Sequence, residues 1–162
     1  QDDDGTVRVE VDTNRTEDNF LSIANHVNLE ITAPPSLLLK IDNNVGNVTV
    51  EGVQARSLDI RSNTGNVTFR GSLDPDETSN YSMETNTGEI DLRLPPDTYA
   101  EIDARTDVGS LNVGSGFDAV DARTDDRVGP SETWAGVLGT GSGSAPTIRL
   151  RTNTGAITVR AE

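Results

Sequence analysis

One ten-residue pattern recurs along the chain and constrains its fold more than any other feature. Its first copy reads Ile41-Asp42-Asn43-Asn44-Val45-Gly46-Asn47-Val48-Thr49-Val50. Closer copies follow at 60–69, 83–92 and 150–159, each built on Asn-Thr-Gly, and a looser one at 104–113. Anchored on Gly46, Gly65, Gly88, Gly109 and Gly155, the copies lie 19, 23, 21 and 46 residues apart. The period is about 20 residues, and the last gap, near two periods, reads as a hidden degenerate coil.

Apolar residues stand seven and five places before the glycine (Leu58 and Ile60, Ile148 and Leu150) and two and four places after it (Val67 and Phe69, Ile157 and Val159). Alternation of period two on both sides marks two short strands, each turning one face inward. Glycine at the join supplies positive φ, and the Asn before it tolerates left-handed geometry. Such a turn can close a hairpin. The near-fixed period and the phase kept through each bend point instead to an all-β, single-stranded β-solenoid. In it, every strand pairs with its equivalents one coil above and below, about 4.8 Å away. Asn44, Asn63, Asn86, Asp107 and Asn153 then stack along one edge, as a ladder that satisfies the turn backbone or as a row along which a metal or sugar lies. Pro34-Pro35 and Pro95-Pro96 follow alternating strands at 27–31 and 92–94 and suit corners.

At 162 residues the chain reads as one solenoid domain, 1–162, with a linker at 1–6 and an irregular insertion at 114–145. Residues 7–11 alternate like a strand of a first coil or cap. The insertion holds a polar excursion at 118–133, then Trp134-Ala135-Gly136-Val137-Leu138 and a glycine-serine tract at 139–144 that reads as mobile. No apolar run approaches the length needed to cross a bilayer, so any membrane tether is expected outside this sequence.

The net charge of −14 comes from 17 Asp and 10 Glu against 12 Arg and a single Lys, Lys40. That bias predicts an acidic surface adapted to high salt, where screening removes self-repulsion. It also argues against nucleic acid as a partner, since phosphate binding needs a basic face. With no cysteine, disulfides and thiolate sites are excluded. The one histidine, His26, has no second soft ligand. Asp74-Pro75-Asp76-Glu77 and Asp125-Asp126 lack the spacing of a calcium loop. Asp42, Asp59, Glu84, Asp91 and Asp103 are expected to point outward beside Arg61, Arg105, Arg149 and Arg151, as a solvated mixed-charge face. No catalytic, cofactor-binding or metal-binding residue is assigned. Of four glycosylation sequons, those at Asn47 and Asn66 belong to the repeat, while Asn14 and Asn80 sit in expected loops and are the candidate glycan sites.

The Asn-Thr-Gly strand pairs, the step from Leu94-Pro95-Pro96 into Ala100-Glu101-Ile102-Asp103-Ala104, and the ending Trp134…Gly136-Val137-Leu138-Gly139…Asn153-Thr154-Gly155 resemble the adhesin-type β-solenoid domains of bacterial and archaeal envelope proteins. The resemblance implies an extracytoplasmic or peripheral envelope domain, often tethered by a membrane helix and sometimes linked to envelope-stress sensing. It carries no catalytic residues. Bactofilins and halofilins, polymerising β-helices of cell shape, are more distantly similar, and the glycine turns and uneven period here depart from their pattern.

The functional expectation is a non-enzymatic structural or interaction module that presents an acidic face to a protein or glycan partner. A self-assembling scaffold, joined into homo-oligomers through the solenoid ends, is the second reading. A solenoid enzyme acting on polysaccharide is the third.

Overall fold

The computed structural model describes residues 36–74, 79–141 and 145–162, and every structural statement below concerns these. The expected linker at 1–6, the strands at 7–11 and 27–31, His26, Asn14, Pro34-Pro35 and residues 75–77 of the acidic loop lie outside them.

All regular structure among the described residues is strand. In chain order the strands are β1 (Ser36–Val45), β2 (Val48–Thr64), β3 (Val67–Leu73), β4 (Tyr81–Thr87), β5 (Ile90–Leu94), β6 (Ala100–Val108), β7 (Leu111–Ser115), β8 (Val120–Val128), β9 (Ser131–Leu138), β10 (Thr147–Thr154) and β11 (Ile157–Ala161). They form one curled sheet, in which β2 is long enough to serve two coils. Its first half, bent at Gly52 (φ 70°) where the register slips, pairs with β3, and its second half pairs with β1 and β4.

Strands preceding a bend glycine stack as one limb and those following it as another, all in parallel register. On the first limb Ile41, Ile60, Met83, Leu150 and Ala104 align, as do Leu39, Leu58, Tyr81, Ile148 and Ile102. On the second, Val48, Val67, Ile90, Ile157 and Leu111 align, with Val50, Phe69, Leu92, Val159 and Val113 two residues on. Both limbs turn these rows into a single core, in which Ile60, Met83, Leu150, Phe69, Leu92 and Val159 are fully buried. The period-two alternation thus produces one continuous apolar interior.

Two features depart from a chain wound coil after coil. The bends stack in the order Gly46, Gly65, Gly88, Gly155, Gly109, so the last repeat lies between the third and fourth repeats of the sequence. And the 46-residue gap hides no further coil. The stretch read as an irregular insertion at 114–145 contains an antiparallel hairpin, β8–β9, with β9 laid against β6. The segment looks like a loop in sequence because β8 is an edge strand: Asp121, Arg123, Asp125, Asp126 and Arg127 are exposed, and a bulge falls between Ala122 and Thr124. Charges and a bulge are what an edge strand carries to resist pairing with other chains.

Candidate functional site

The bend recurs five times in register and is the most organised polar surface among the described residues. Gly65, Gly88, Gly155 and Gly109 have φ of 137°, 149°, 146° and 154°, and a Cβ on any of them would overlap the carbonyl oxygen of the glycine in the preceding coil. Glycine is therefore required twice, for its backbone angle and for close approach. The bend backbone continues the ladder, with Gly46 N donating to Thr64 O, Gly65 N to Thr87 O, Gly88 N to Thr154 O and Gly155 N to Val108 O, each at 2.9 Å.

Side chains bond in the opposite direction along the stack. Two residues before the glycine, Asn63 Nδ2 donates to Asn44 Oδ1 (3.3 Å), Asn86 Nδ2 to Asn63 Oδ1 (3.4 Å) and Asn153 Nδ2 to Asn86 Oδ1. Asp107 holds the fifth place, where its carboxylate cannot donate, and it accepts from Arg105 Nε and Nη2 (3.0 and 2.9 Å) instead. One residue after the glycine, Asn47 Oδ1 accepts from the Asn66 N–H and Asn66 Oδ1 from the Glu89 N–H, both at 3.0 Å. This role for Asn47 and Asn66 is invisible when they are seen only as sequon residues.

A third row escapes the sequence reading. Three places before each glycine stand Asn43, Ser62, Thr85, Thr152 and Thr106, and the last four are buried. Thr85 Oγ1 donates to Gly65 O, Thr152 Oγ1 to Gly88 O and Thr106 Oγ1 to Gly155 O, at 3.2, 3.1 and 2.9 Å. The hydroxyls satisfy carbonyls that the bend would otherwise leave buried and unpaired. The signal was present, as a short polar residue recurring at a position where the alternation calls for an apolar one.

The outward charges pair. On the first limb Arg151 meets Asp103 at 2.6 Å with Arg149 at 3.8 Å, Arg61 lies 3.4 Å from Asp59 and 4.0 Å from Glu84, and Arg123 reaches Glu101 at 2.7 Å. On the second, Arg70, Arg93 and Arg160 align on successive coils, and Asp91 Oδ2 accepts from Arg93 (2.7 Å) and Arg160 (3.0 Å). Burial by itself pushes the Asp91 carboxyl up, but the two guanidinium hydrogen bonds and their charge outweigh it and hold it below the ordinary carboxylate value. Arg70 Nε, Arg160 Nε and Asp91 Oδ1 are buried without a hydrogen-bond partner.

Two shallow depressions flank these rows. One of about 450 Å³ is lined by Asp42, Asn43, Asn44, Arg61, Ser62, Asn63 and Asn86, and one of about 350 Å³ by Glu51, Gly52, Arg70, Gly71, Pro95 and Glu162. Among the described residues no three His, Asp or Glu converge as a metal site, and no helix is long and apolar enough to cross a membrane. Asn80 is exposed just ahead of β4, with its backbone N–H and carbonyl both bonded to the Ser57 hydroxyl.

A sheet of stacked repeats, joined at a bend of glycine and amide ladders and faced with ion pairs, defines a repeat-built all-β domain. The chain belongs to the Toastrack DUF4097 family, whose profile matches residues 23–160. No curated protein and no solved structure matches it.

Proposed function

We propose that this domain is a non-enzymatic structural or interaction module of the cell envelope, a β-solenoid in the wider sense with coils of about 20 residues. It presents its Asn-lined bend and the acidic, ion-paired face beside it to a protein or glycan partner. The envelope setting and the extracytoplasmic side come from the adhesin-type resemblance, and a membrane tether would lie outside this sequence. The observation that carries the reading is the amide ladder. Asn63 and Asn86 each use one N–H and one lone pair on their neighbours, Asn44 only accepts and Asn153 only donates, so these exposed amides keep further donors and acceptors for a partner, at the coil spacing of about 4.8 Å. With the depression alongside, that regular donor and acceptor row suits an extended chain rich in hydroxyls or amides.

The test is surface plasmon resonance of the parent and an Asn63→Ala/Asn86→Ala variant over isolated envelope polysaccharide and surface-layer protein, with the variant's fold checked by circular dichroism. Binding to one of them, weakened at least tenfold in the variant, is expected. Binding to neither, or equal binding by both proteins, overturns the reading.

One observation favours the scaffold reading, that the chain joins through its ends in a bactofilin-like way. Leu38 and Val45 on β1 are 71% and 73% exposed, and no described strand lies on the outer side of β1. The opposite end, closed by the charged β8, weighs against it. Sedimentation velocity across a hundredfold concentration range separates the two readings.

A further inference from the structure

Three of the four Asn-x-Ser/Thr sequons fall among the described residues, and the fold treats them differently. At Asn47-Val48-Thr49, Val48 turns into the core while Asn47 and Thr49 are both exposed, so the amide and the hydroxyl share the outer face at the start of β2. At Asn66-Val67-Thr68, Asn66 is exposed but Thr68 is half-buried between neighbouring coils. At Asn80-Tyr81-Ser82, Asn80 is exposed, yet Tyr81 is buried and Ser82 is only 7% exposed. A transferase that reads both the amide and the hydroxyl of a sequon finds them together on the surface at Asn47.

The amide of Asn47 is also divided in a way that suits attachment. Its Oδ1 accepts from the Asn66 N–H at 3.0 Å, and its Nδ2 has no hydrogen-bond partner among the described residues. Other asparagines of the bend spend Nδ2 on the fold: Asn43 donates to Gly46 O at 2.7 Å, and Asn63, Asn86 and Asn153 donate along the ladder. Replacing one Nδ2 hydrogen by a sugar leaves the amide oxygen an acceptor. A glycan on Asn47 therefore keeps the bond that ties its coil to the next, whereas one on Asn63 or Asn86 would compete with a ladder bond. Glycans are bulky and solubilising and belong on open surface, which the exposed pair Asn47 and Thr49 supplies.

We infer that Asn47 is a glycan-attachment site, an assignment that rests on the extracytoplasmic envelope setting proposed above. The donor is a lipid-linked sugar phosphate, used by a membrane-bound transferase. Asn47 Nδ2 bonds to the anomeric carbon as the bond from that carbon to the phosphate oxygen breaks. The phosphate leaves with the electron pair, and the displaced Nδ2 proton passes to a basic group of the transferase.

The test is peptide mapping by mass spectrometry of the full natural protein, isolated from the cells that make it, alongside Thr49→Val and Thr49→Ser variants expressed in the same cells. The peptide holding Asn47 should carry the mass of a glycan in the parent and in Thr49→Ser. It should lose that mass in Thr49→Val, which removes the hydroxyl but leaves Asn47 its bond to Asn66 and keeps a side chain that favours strand. Labelling of intact cells with a membrane-impermeant amine reagent, read at the exposed Lys40, reports which side of the membrane the domain occupies. A domain labelled from outside with Asn47 bare, or with glycan on Asn80 instead, overturns the assignment and leaves the envelope reading standing. A domain shielded inside with Asn47 bare overturns both. Glycan that persists in Thr49→Val also overturns the assignment, since the sequon would then not be what is read.

Discussion

Gly88 and Gly46 occupy equivalent bends of different coils and share the same class of backbone angle, φ 149° and 124°, but they differ in what lies beside them. A Cβ at Gly88 would overlap Gly65 O, whereas no described atom lies within 4 Å of one at Gly46. Gly46→Ala therefore carries only backbone strain, about 1–3 kcal/mol. Gly88→Ala adds a forced parting of two coils and should lose about 4 kcal/mol or more. Denaturant midpoints of the two variants measure the difference, and equal losses would mean that the glycines do not stack.

Asp91 gives a pH signature at the same scale. Its native carboxyl titrates below the unfolded one, so its two arginine bonds contribute fully above the unfolded value, near pH 4, and are lost as pH falls through the lower native value. Urea midpoints between pH 2 and 7 should fall more steeply at the acid end for the parent than for Asp91→Asn. Residues of this kind were partly legible in the sequence. Asp91 stands on an outward position of an alternating strand, but nothing in one strand shows that Arg160, 69 residues away, will share its oxygen. The buried hydroxyls were readable in principle, since only a short polar group suits a place where a bend carbonyl points inward.

Among the elements, the hairpin β8–β9 shows where strand periodicity stops being informative. The coil strands were legible because one face of each is buried, which writes the alternation into the sequence. β9 keeps that signature in Trp134, Gly136 and Leu138, opposite Ala104, Ile102 and Ala100 of β6. β8 is exposed at 120–123 and 125–128, so no pattern is imposed on it. Trp134 is 6% exposed and ends the row Leu150, Ala104, Trp134, a large ring beside a small neighbour. Trp134→Ala should cost about 3–5 kcal/mol by chemical denaturation, a loss that a disordered insertion would not show.

For the whole molecule, the order of the coils was the least legible property. Every coil carries nearly the same interface, so sequence alone gives no reason for Asn153 rather than Asp107 to neighbour Asn86. Charge acts at this scale too. With a net charge of −14 and the described ion pairs lying on the surface, self-repulsion is expected to outweigh the screening of individual pairs. The thermal midpoint should rise between about 0.1 M and about 2 M potassium chloride, as the screening length falls from about 10 Å to below about 3 Å. A flat or falling midpoint in calorimetry would remove the case for a salt-adapted surface.

The misplaced coil also sets how the molecule responds to tension. In a stack wound in chain order, a pull on the last repeat unzips an end coil that has one neighbour. Here a pull entering at residue 162 lands on β11 and then β10, each held by a strand on both sides. The load must break two ladders per limb at once. The last repeat, ordinarily the first part of a coiled domain to fray, is in this molecule the anchored one, and its extraction would split the stack in two rather than shorten it.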